Sequence, residues 1–192
     1  MNEPQLITQL QQGNEKAFAL LVENFQDRVY NTCLGVLHNM EDAEDIAQEV
    51  FVEVHRSVHQ FKAESKLSTW IYRICVTKSL DYLRSKKRKK RFALVKSIFG
   101  DNDSAPRIDV PDFIHPGVQL ENKERAAYLF KAINQLPENQ KIAFTLNKIE
   151  SLSYQEISDV TQLSVSAVES LLFRAKQNLK KILEEYYRQN EM

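Results

Sequence analysis

The spacing of apolar residues predicts that most of the chain is helical. In the first half, the predicted helices cover residues 3–12, 15–37, 39–59 and 69–84. Asn14 and Asn39 each stand directly before an apolar-periodic segment, so we expect them to cap the second and third helices. Residues 60–68 lack such a period and are predicted to form a loop that ends in an N-cap at Ser68.

The third predicted helix combines one apolar stripe with an acidic exterior. Its apolar residues, spaced as on one buried face of a helix, are Ala43, Ile46, Ala47, Val50, Phe51 and Val54. Between Val29 and His55 the chain has six acidic residues and no Lys or Arg. Four of the six lie in the first turns, where negative charge complements the helix dipole. Taken alone, this pattern is typical of a solvated acidic face and does not indicate a partner.

The periodicity fails after residue 91 and then returns. Residues 92–118 contain turn signals and three of the five prolines, which predicts a flexible linker, although the apolar residues of its first third are also compatible with a helix. Beyond it, helices are predicted over residues 121–135, 138–149, 153–161 and 165–187. The predicted fold class is therefore all-α, with two small helical domains, 1–91 and 119–192, joined by this linker.

The last two helices, separated by a turn at residues 162–163, have the spacing of a helix-turn-helix. The residues predicted to pack inward are Tyr154, Ile157 and Val160 of the first helix and Val165, Val168, Leu172, Ala175 and Leu179 of the second. The residues predicted to face away from the core are Ser166, Glu169, Ser170, Phe173 and Arg174, and Lys176 follows them. Arg commonly contacts guanine, and Glu accepts a hydrogen bond from cytosine. A helical hairpin with a purely structural role fits the same pattern.

Charge adds a second indication of function. The 192-residue chain has 26 basic and 26 acidic residues, but basic residues occupy seven of the eight positions 84–91. The net charge is zero, but acidic and basic residues are concentrated at different places along the chain. This separation predicts one basic and one acidic partner. The fourth helix carries aromatic and cationic residues just before the basic block, a combination that suits single-stranded nucleic acid.

Other sequence features suggest the cellular compartment. Cys33 and Cys75 are isolated, without a CxxC motif, and are predicted to be reduced core residues. The N-terminus has no signal-peptide pattern, and no apolar run approaches the roughly 20 residues that a bilayer requires. We therefore expect a soluble, cytoplasmic protein with no membrane insertion.

Three stretches, in this order, resemble one family across nearly the whole chain: DAEDIAQEVF (42–51), STWIYRI…DYLR (68–84) and LSYQEISDVTQLSVSAVESLLFRAK (152–176). They are similar to the extracytoplasmic-function (ECF) class of bacterial RNA polymerase sigma factors. The resemblance implies a non-enzymatic protein, without cofactor or metal, that binds core RNA polymerase and directs it to specific promoters. It also implies that the protein promotes DNA melting for transcription initiation, and that an anti-sigma factor is a partner.

The resemblance also implies roles for individual residues. Domain 1–91 corresponds to sigma region 2, whose acidic helix docks on the clamp helices of the polymerase β′ subunit. The polymerase contacts implied are Asp45, Gln48 and Glu49, whose spacing places them on one side of a helix. The residues implied in recognition and melting of the minus-ten element are Lys62, Ser65, Ser68, Trp70, Arg73, Thr77, Lys78 and Arg84. Domain 119–192 corresponds to region 4, whose helix-turn-helix recognises the minus-thirty-five element.

Two alternatives remain open from the sequence alone. A metal-dependent enzyme would use the carboxylates Asp42, Asp45 and Glu49, or a zinc pair formed by His55 and His59. However, HRSVH lacks the general-base Glu of HExxH, and the chain has no Gly-rich phosphate loop and no recognisable nucleophile arrangement. A stand-alone helix-turn-helix regulator would explain the last two helices but would leave the acidic helix without a role.

Overall fold

The computed structural model of the chain describes residues 2–98 and 128–190. Its helices are α1 (Glu3–Gln11), α2 (Glu15–Leu37), α3 (Met40–Ser57), α4 (Leu67–Ile98), α5 (residues 128–134), α6 (Glu138–Lys148), α7 (Tyr154–Thr161) and α8 (Val165–Asn190). A 3₁₀ turn, Val58–Gln60, follows α3. The described residues contain no strand, so the predicted all-α class is confirmed.

Most helix starts depend on local side-chain caps. The Asn14 side chain accepts hydrogen bonds from the first amides of α2, and Asn39 accepts one from the Asp42 amide at 2.8 Å. Ser153 and Glu156 form a reciprocal capping box at the start of α7. These caps confirm the predicted starts, because a cap is encoded within three or four residues of the helix that it begins.

The fourth helix differs from its predicted bounds at both ends. It begins at Leu67, so the predicted N-cap at Ser68 is wrong, and Ser68 lies inside the first turn. It continues to Ile98, past the position near residue 91 where the first domain was expected to close. Residues 99–118 of the predicted linker, and the first residues of the helix predicted at 121–135, lie outside the described residues.

Helices α1 to α4 enclose the first hydrophobic core. The buried side chains at its centre include Leu21, Val29, Cys33, Val50, Val54 and Ile71. The apolar stripe of α3 lies in this core as predicted, with Phe51 half-buried at its edge. Burial of each Val or Leu side chain stabilises the fold by roughly 1.5–3 kcal/mol. The opposite face of α3 is therefore held toward solvent.

A second core joins the two halves of the chain. Val36 of α2 and Tyr72 and Val76 of α4 pack with apolar residues of α6, α7 and α8. Gly35 lies against Thr145 so closely that an added Cβ atom would be 2.4 Å from the Thr145 methyl carbon. The Thr145 hydroxyl donates a hydrogen bond to the Gly35 carbonyl at 3.3 Å. The two helical regions therefore pack together through a close-fitting apolar contact.

The helix-turn-helix packs through fewer residues than predicted. Val168, Leu172, Ala175 and Leu179 are buried, as are Ile157 and Val160. Val165 and Tyr154, however, are 39% and 36% exposed, so their predicted inward orientation is wrong. Each is the first residue of its helix, and side chains tilt toward the helix N-terminus, past the end of the packed face.

Candidate nucleic-acid and protein interfaces

The first candidate interface is the outward face of α3. Asp45, Gln48 and Glu49 are all exposed, on the side opposite the buried stripe. Val52, one turn further along this face, is 61% exposed and was not predicted as a site residue. Val52 could have been found from the sequence, because it is an apolar residue of the helix that falls outside the buried stripe. This face combines negative charge, an amide and an apolar side chain, which suits a basic protein surface.

The acidic N-terminus of α3 is bound to α4 and is distinct from that face. The Tyr82 hydroxyl donates to one carboxylate oxygen of Asp42, and the Lys86 ammonium donates to the other. The Asp42 carboxylate raises the pKa of Lys86, mainly through this hydrogen bond. Asp42 therefore has a structural role at the junction of α3 and α4.

The second candidate interface is a cleft of about 540 Å³ where the loop before α4 meets α7. Its lining residues are Gln60, Phe61, Lys62, Glu64, Ser65, Lys66, Thr69, Trp70, Arg73, Glu156, Asp159 and Gln162. Four of the residues predicted for minus-ten recognition, Lys62, Ser65, Trp70 and Arg73, meet here. The cleft thus combines an aromatic surface and three cations, which suit single-stranded nucleic acid, with three acidic residues, Glu64, Glu156 and Asp159.

Within the cleft, the Trp70 ring lies 5.1 Å from the Phe61 ring, centroid to centroid. Phe61 is buried, and it fixes the inner side of Trp70. Lys66 is exposed and also lines the cleft, although it was not predicted as a site residue. Lys66 could have been found from the sequence, because it lies in the same polar loop as the predicted residues Lys62 and Ser65.

The other predicted residues of α4 lie outside this cleft. Ser68 is half-buried in the first turn, and Thr77 is exposed two turns beyond Trp70. Lys78 pairs with Glu53 of α3 at 3.2 Å, and the exposed Arg84 pairs with Asp81 at 3.1 Å. Trp70, Arg73, Thr77 and Arg84 are three, four and seven residues apart, so they follow one face of the helix. Lys78 is one residue off that face.

Cations of the cleft make contacts with α7. The Lys66 ammonium lies 2.8 Å from a Glu156 carboxylate oxygen. The Arg73 guanidinium donates to the Asp159 carbonyl at 2.6 Å. The pKa of Glu156 is lowered to about 2, chiefly by the hydrogen bond from Lys66 and then by those from Ser153. Two cations of the cleft, Lys66 and Arg73, are therefore paired with oxygen atoms of α7 in this structure.

Tyr72, next to Arg73, faces the interior. Its hydroxyl donates to the Glu150 carboxylate at 2.8 Å, and burial raises the pKa values of both groups. Tyr72 is one of the aromatic residues of the fourth helix, and its buried ring is not available to stack on nucleic-acid bases in this arrangement. Tyr72 instead connects α4 to the segment that precedes α7.

The third candidate interface is the outer face of α8. The five residues predicted to face away from the core are all exposed, and so is Lys176; the five are Ser166, Glu169, Ser170, Phe173 and Arg174. Phe173 is 63% exposed, and with Tyr154 it forms the apolar part of a shallow cleft beside Glu169 and Arg174. Gln162 occupies the left-handed region at φ 59° and ends α7, a position where Gly is common.

The histidine pair has no metal-site geometry. The His55 ring packs edge-on against Phe18, with centroids 4.9 Å apart, and His59 contacts Gln60. Within the part of the chain that the structure describes, no three His, Cys, Asp or Glu residues converge as metal ligands would. In the same described ranges, no helix has the length and apolar character needed to cross a membrane.

Comparison with known families identifies two matching segments. Residues 21–89 match the model of Sigma-70 region 2, and residues 126–179 match that of Sigma-70, region 4. The chain is 31% identical over 190 residues to the RNA polymerase sigma-H factor of Pseudomonas aeruginosa, covering 97% of this chain and 96% of that protein. It is 30% identical over 172 residues to the ECF RNA polymerase sigma-E factor of Escherichia coli K12, covering 90% and 89%.

Solved structures share the fold. CnrH, in complex with the cytosolic domain of CnrY, superposes with a TM-score of 0.70 at 20% identity, covering 95% of this chain and 97% of that one. The sigma factor RpoE from Bartonella quintana, in complex with the anti-sigma factor NepR, gives 0.68 at 19% identity, covering 88% and 98%. Similarity therefore extends over both helical regions.

Proposed function

The chain belongs to the sigma-70 family of bacterial RNA polymerase sigma factors, within its ECF subfamily, and on that premise we propose which surface serves each step of initiation. As a sigma factor, it binds core RNA polymerase, directs it to specific promoters and promotes DNA melting. One observation carries the assignment: an exposed acidic helix face, an aromatic and cationic cleft, and an exposed helix-turn-helix face lie at three separate places on one chain.

The acidic face of α3 is the polymerase-docking surface in this proposal. Asp45, Gln48 and Glu49 contact a basic surface on the clamp helices of the β′ subunit. Support comes from their exposure and from the buried stripe beneath them, which fixes the orientation of the helix. Complementary charge at such an interface increases the association rate and penalises incorrect partners.

The cleft at the start of α4 is the minus-ten site, within a region 2 formed by residues 1–91. The proposed contacts are Lys62, Ser65, Ser68, Trp70, Arg73, Thr77, Lys78 and Arg84. Cations bind phosphates, and an aromatic ring stacks on an unpaired base that has left the duplex. Because Arg73 contacts α7, binding of DNA by this residue requires the two helical regions to separate.

The outer face of α8 is the minus-thirty-five site, within a region 4 formed by residues 119–192. The proposed contacts are Ser166, Glu169, Ser170, Phe173, Arg174 and Lys176. Arg174 suits guanine, Glu169 suits cytosine, and the exposed Phe173 ring suits a thymine methyl group. Lys176 contacts phosphate, which adds affinity without sequence preference.

The remaining assignments concern partners and compartment. We assign the chain to the cytoplasm, where core polymerase and promoter DNA are its partners, and give it no catalytic role and no cofactor. An anti-sigma factor is a further partner. Support for this comes from the fold shared with RpoE of Bartonella quintana, which was solved with the anti-sigma factor NepR.

In vitro transcription with purified core polymerase tests the proposed function. The free protein should bind duplex promoter DNA poorly, since Lys66 and Arg73 of its cleft contact α7 and only the outer face of α8 is left to bind DNA. Addition of core enzyme should produce sequence-specific open complexes whose start sites can be mapped. Tight, specific binding by the isolated chain would instead favour a stand-alone helix-turn-helix regulator.

A further inference from the structure

The N-terminal helix α1 contacts both ends of the loop that precedes α4. The Gln11 side-chain amide donates to the Phe61 carbonyl at 2.8 Å, where the loop begins. The Leu67 backbone amide donates to the Glu3 carboxylate at 2.9 Å, where the loop ends. Glu3 and Gln11 lie at the two ends of α1, so this one helix binds both ends of the loop, whose Phe61 and Leu67 side chains are also buried in the first core.

Helix α1 is itself held in a defined position. Asn2 and Gln5 form a reciprocal capping box at its start, and Ile7 and Leu10 are buried in the first core. At its other end the chain turns at Gly13, which has a positive φ of 75°. A helix fixed at its start and along its buried face can transmit that position to the residues it contacts.

The loop has features that require outside support. Ala63 has a φ of 55°, a left-handed conformation that is unfavourable for a residue with a Cβ atom. Lys62, Ala63 and Glu64 are exposed, so few packing contacts hold the middle of the loop. The Leu67 amide is one of the first donors of α4, and these have no partner within their own helix. Glu3 supplies that partner, and its negative charge also complements the dipole of α4.

We propose that Glu3 and Gln11 are positioning residues for minus-ten recognition. By holding the two ends of the loop over residues 61–66, they keep Lys62, Ser65 and Trp70 arranged around the cleft before DNA arrives. Preorganisation reduces the conformational entropy that is lost when these side chains bind a strand. The inference rests on the proposed function of the cleft, and both positioning residues lie outside residues 21–89, the segment matched by the region 2 model.

The test uses the full-length Glu3→Ala/Gln11→Ala variant assembled with core polymerase. Open-complex formation should fall about tenfold, as expected when several side chains must be ordered on binding. Discrimination between a matched and a substituted minus-ten base should fall as well, while affinity for core enzyme stays within about twofold, because α3 is not changed. Hydrogen exchange of the amides of residues 62–67 should become faster. If core affinity and open-complex formation fall by the same factor, the residues support folding in general and the proposal is wrong.

Matched variants separate the possible outcomes. Glu3→Gln keeps an acceptor oxygen and should retain most open-complex formation. Gln12→Ala alters the exposed neighbour of Gln11 and should behave as wild type. Lys62→Ala tests the cleft itself. A defect in Lys62→Ala with none in the Glu3→Ala/Gln11→Ala variant overturns the positioning role alone, whereas a defect in neither overturns the proposed function of the cleft.

Discussion

The acidic face of α3 and the cleft before α4 both involve the first helical region but differ in accessibility. Asp45, Gln48 and Glu49 are exposed, so nothing in the described structure has to move before this face meets a partner. In the cleft, by contrast, Lys66 and Arg73 already contact α7. The difference suggests an order of events in which the chain binds polymerase first and engages promoter DNA after its two helical regions separate.

The two surfaces also differ in how they are built. The face of α3 comes from one helix, and its orientation follows from a buried stripe on the other side. The cleft combines a loop, the start of α4 and part of α7, which are distant in sequence. The first surface is therefore insensitive to the packing of the two regions, and the second depends on it.

The largest expected effect comes from charge reversal on the open surface. The Asp45→Lys/Glu49→Lys variant should lose on the order of 100-fold or more in affinity for core polymerase, because like charges facing each other across an interface cost several kcal/mol. Its helical content, measured by circular dichroism, should stay near that of wild type, since both side chains are exposed. A binding titration with labelled core enzyme measures the loss.

A matched control uses α2. Glu23→Lys/Asp27→Lys reverses two exposed charges at the same spacing of four residues and should leave core affinity within about threefold, since isolated surface charges contribute little. Normal assembly of the Asp45→Lys/Glu49→Lys variant, or an equal loss in both variants, would contradict docking through α3.

The next effect concerns the contact between Gly35 and Thr145, which packs the two helical regions together. In an ordinary helix Gly→Ala is favourable by about 1 kcal/mol. At Gly35 the new methyl group would lie 2.4 Å from the Thr145 methyl carbon, and overpacking typically costs about 1–3 kcal/mol. Gly35→Ala should therefore increase the radius of gyration measured by small-angle X-ray scattering and should strengthen binding of a single-stranded minus-ten oligonucleotide.

Thr145→Ala added to Gly35→Ala tests this explanation. It removes the two nearest atoms, at 2.4 and 2.9 Å, and leaves the Thr145 Cβ atom at 3.2 Å. The radius of gyration of the double variant should return close to the wild-type value. An unchanged radius of gyration in Gly35→Ala alone would show that this contact does not hold the regions together.

The smallest effect is a pH dependence of the same packing. His38 is buried at the end of α2, with its ring 5.4 Å from that of Phe130. Burial, followed by the charge of Lys141, lowers the pKa of His38 from 6.5 to about 3. Packing therefore favours the neutral imidazole. Packing should weaken as the pH falls below 6.5, by up to about tenfold at pH 5.5.

Other groups limit the pH range of that measurement. The pKa of Lys141 is lowered to about 8, so Lys141 stays mostly protonated below pH 7. It therefore does not contribute to the pH dependence of the packing in that range. Burial raises the pKa of Glu150, so the packed state favours its protonated form. Protonation of Glu150 at lower pH should therefore strengthen the packing, which opposes the effect of His38. Scattering between pH 7.5 and 5.5 should show expansion that is absent in His38→Asn, whose side chain tolerates the left-handed backbone. Equal expansion in both proteins would exclude His38 as the cause.

Much of the fold was predictable because its determinants are local. Asn14, Asn39 and Ser153 act within their own helix starts, and the stripe of α3 follows a fixed period. Contacts between distant residues were not predictable. The Leu67 amide is capped by Glu3, 64 residues earlier, which is why a local cap at Ser68 was the wrong expectation.

The same distinction applies to the candidate sites. The outward faces of α3 and α8 are exposed as predicted, since one helical period is enough to assign a face. The contact of Arg73 with Asp159 joins residues 86 positions apart, and no periodicity encodes it. The roles of individual residues in polymerase and DNA binding stay predictions that the variants above can test.

The burial of both cysteines has a practical consequence for observing these rearrangements. Cys33 and Cys75 are the only cysteines of the chain, and both are fully buried. Thiol-directed dyes should therefore leave the native protein unlabelled. Cysteines introduced in place of exposed Lys16 and Gln177, one in each helical region, would accept a fluorophore pair while both native cysteines stay in place. Energy transfer between the dyes would then follow the opening of single molecules as polymerase and promoter are added.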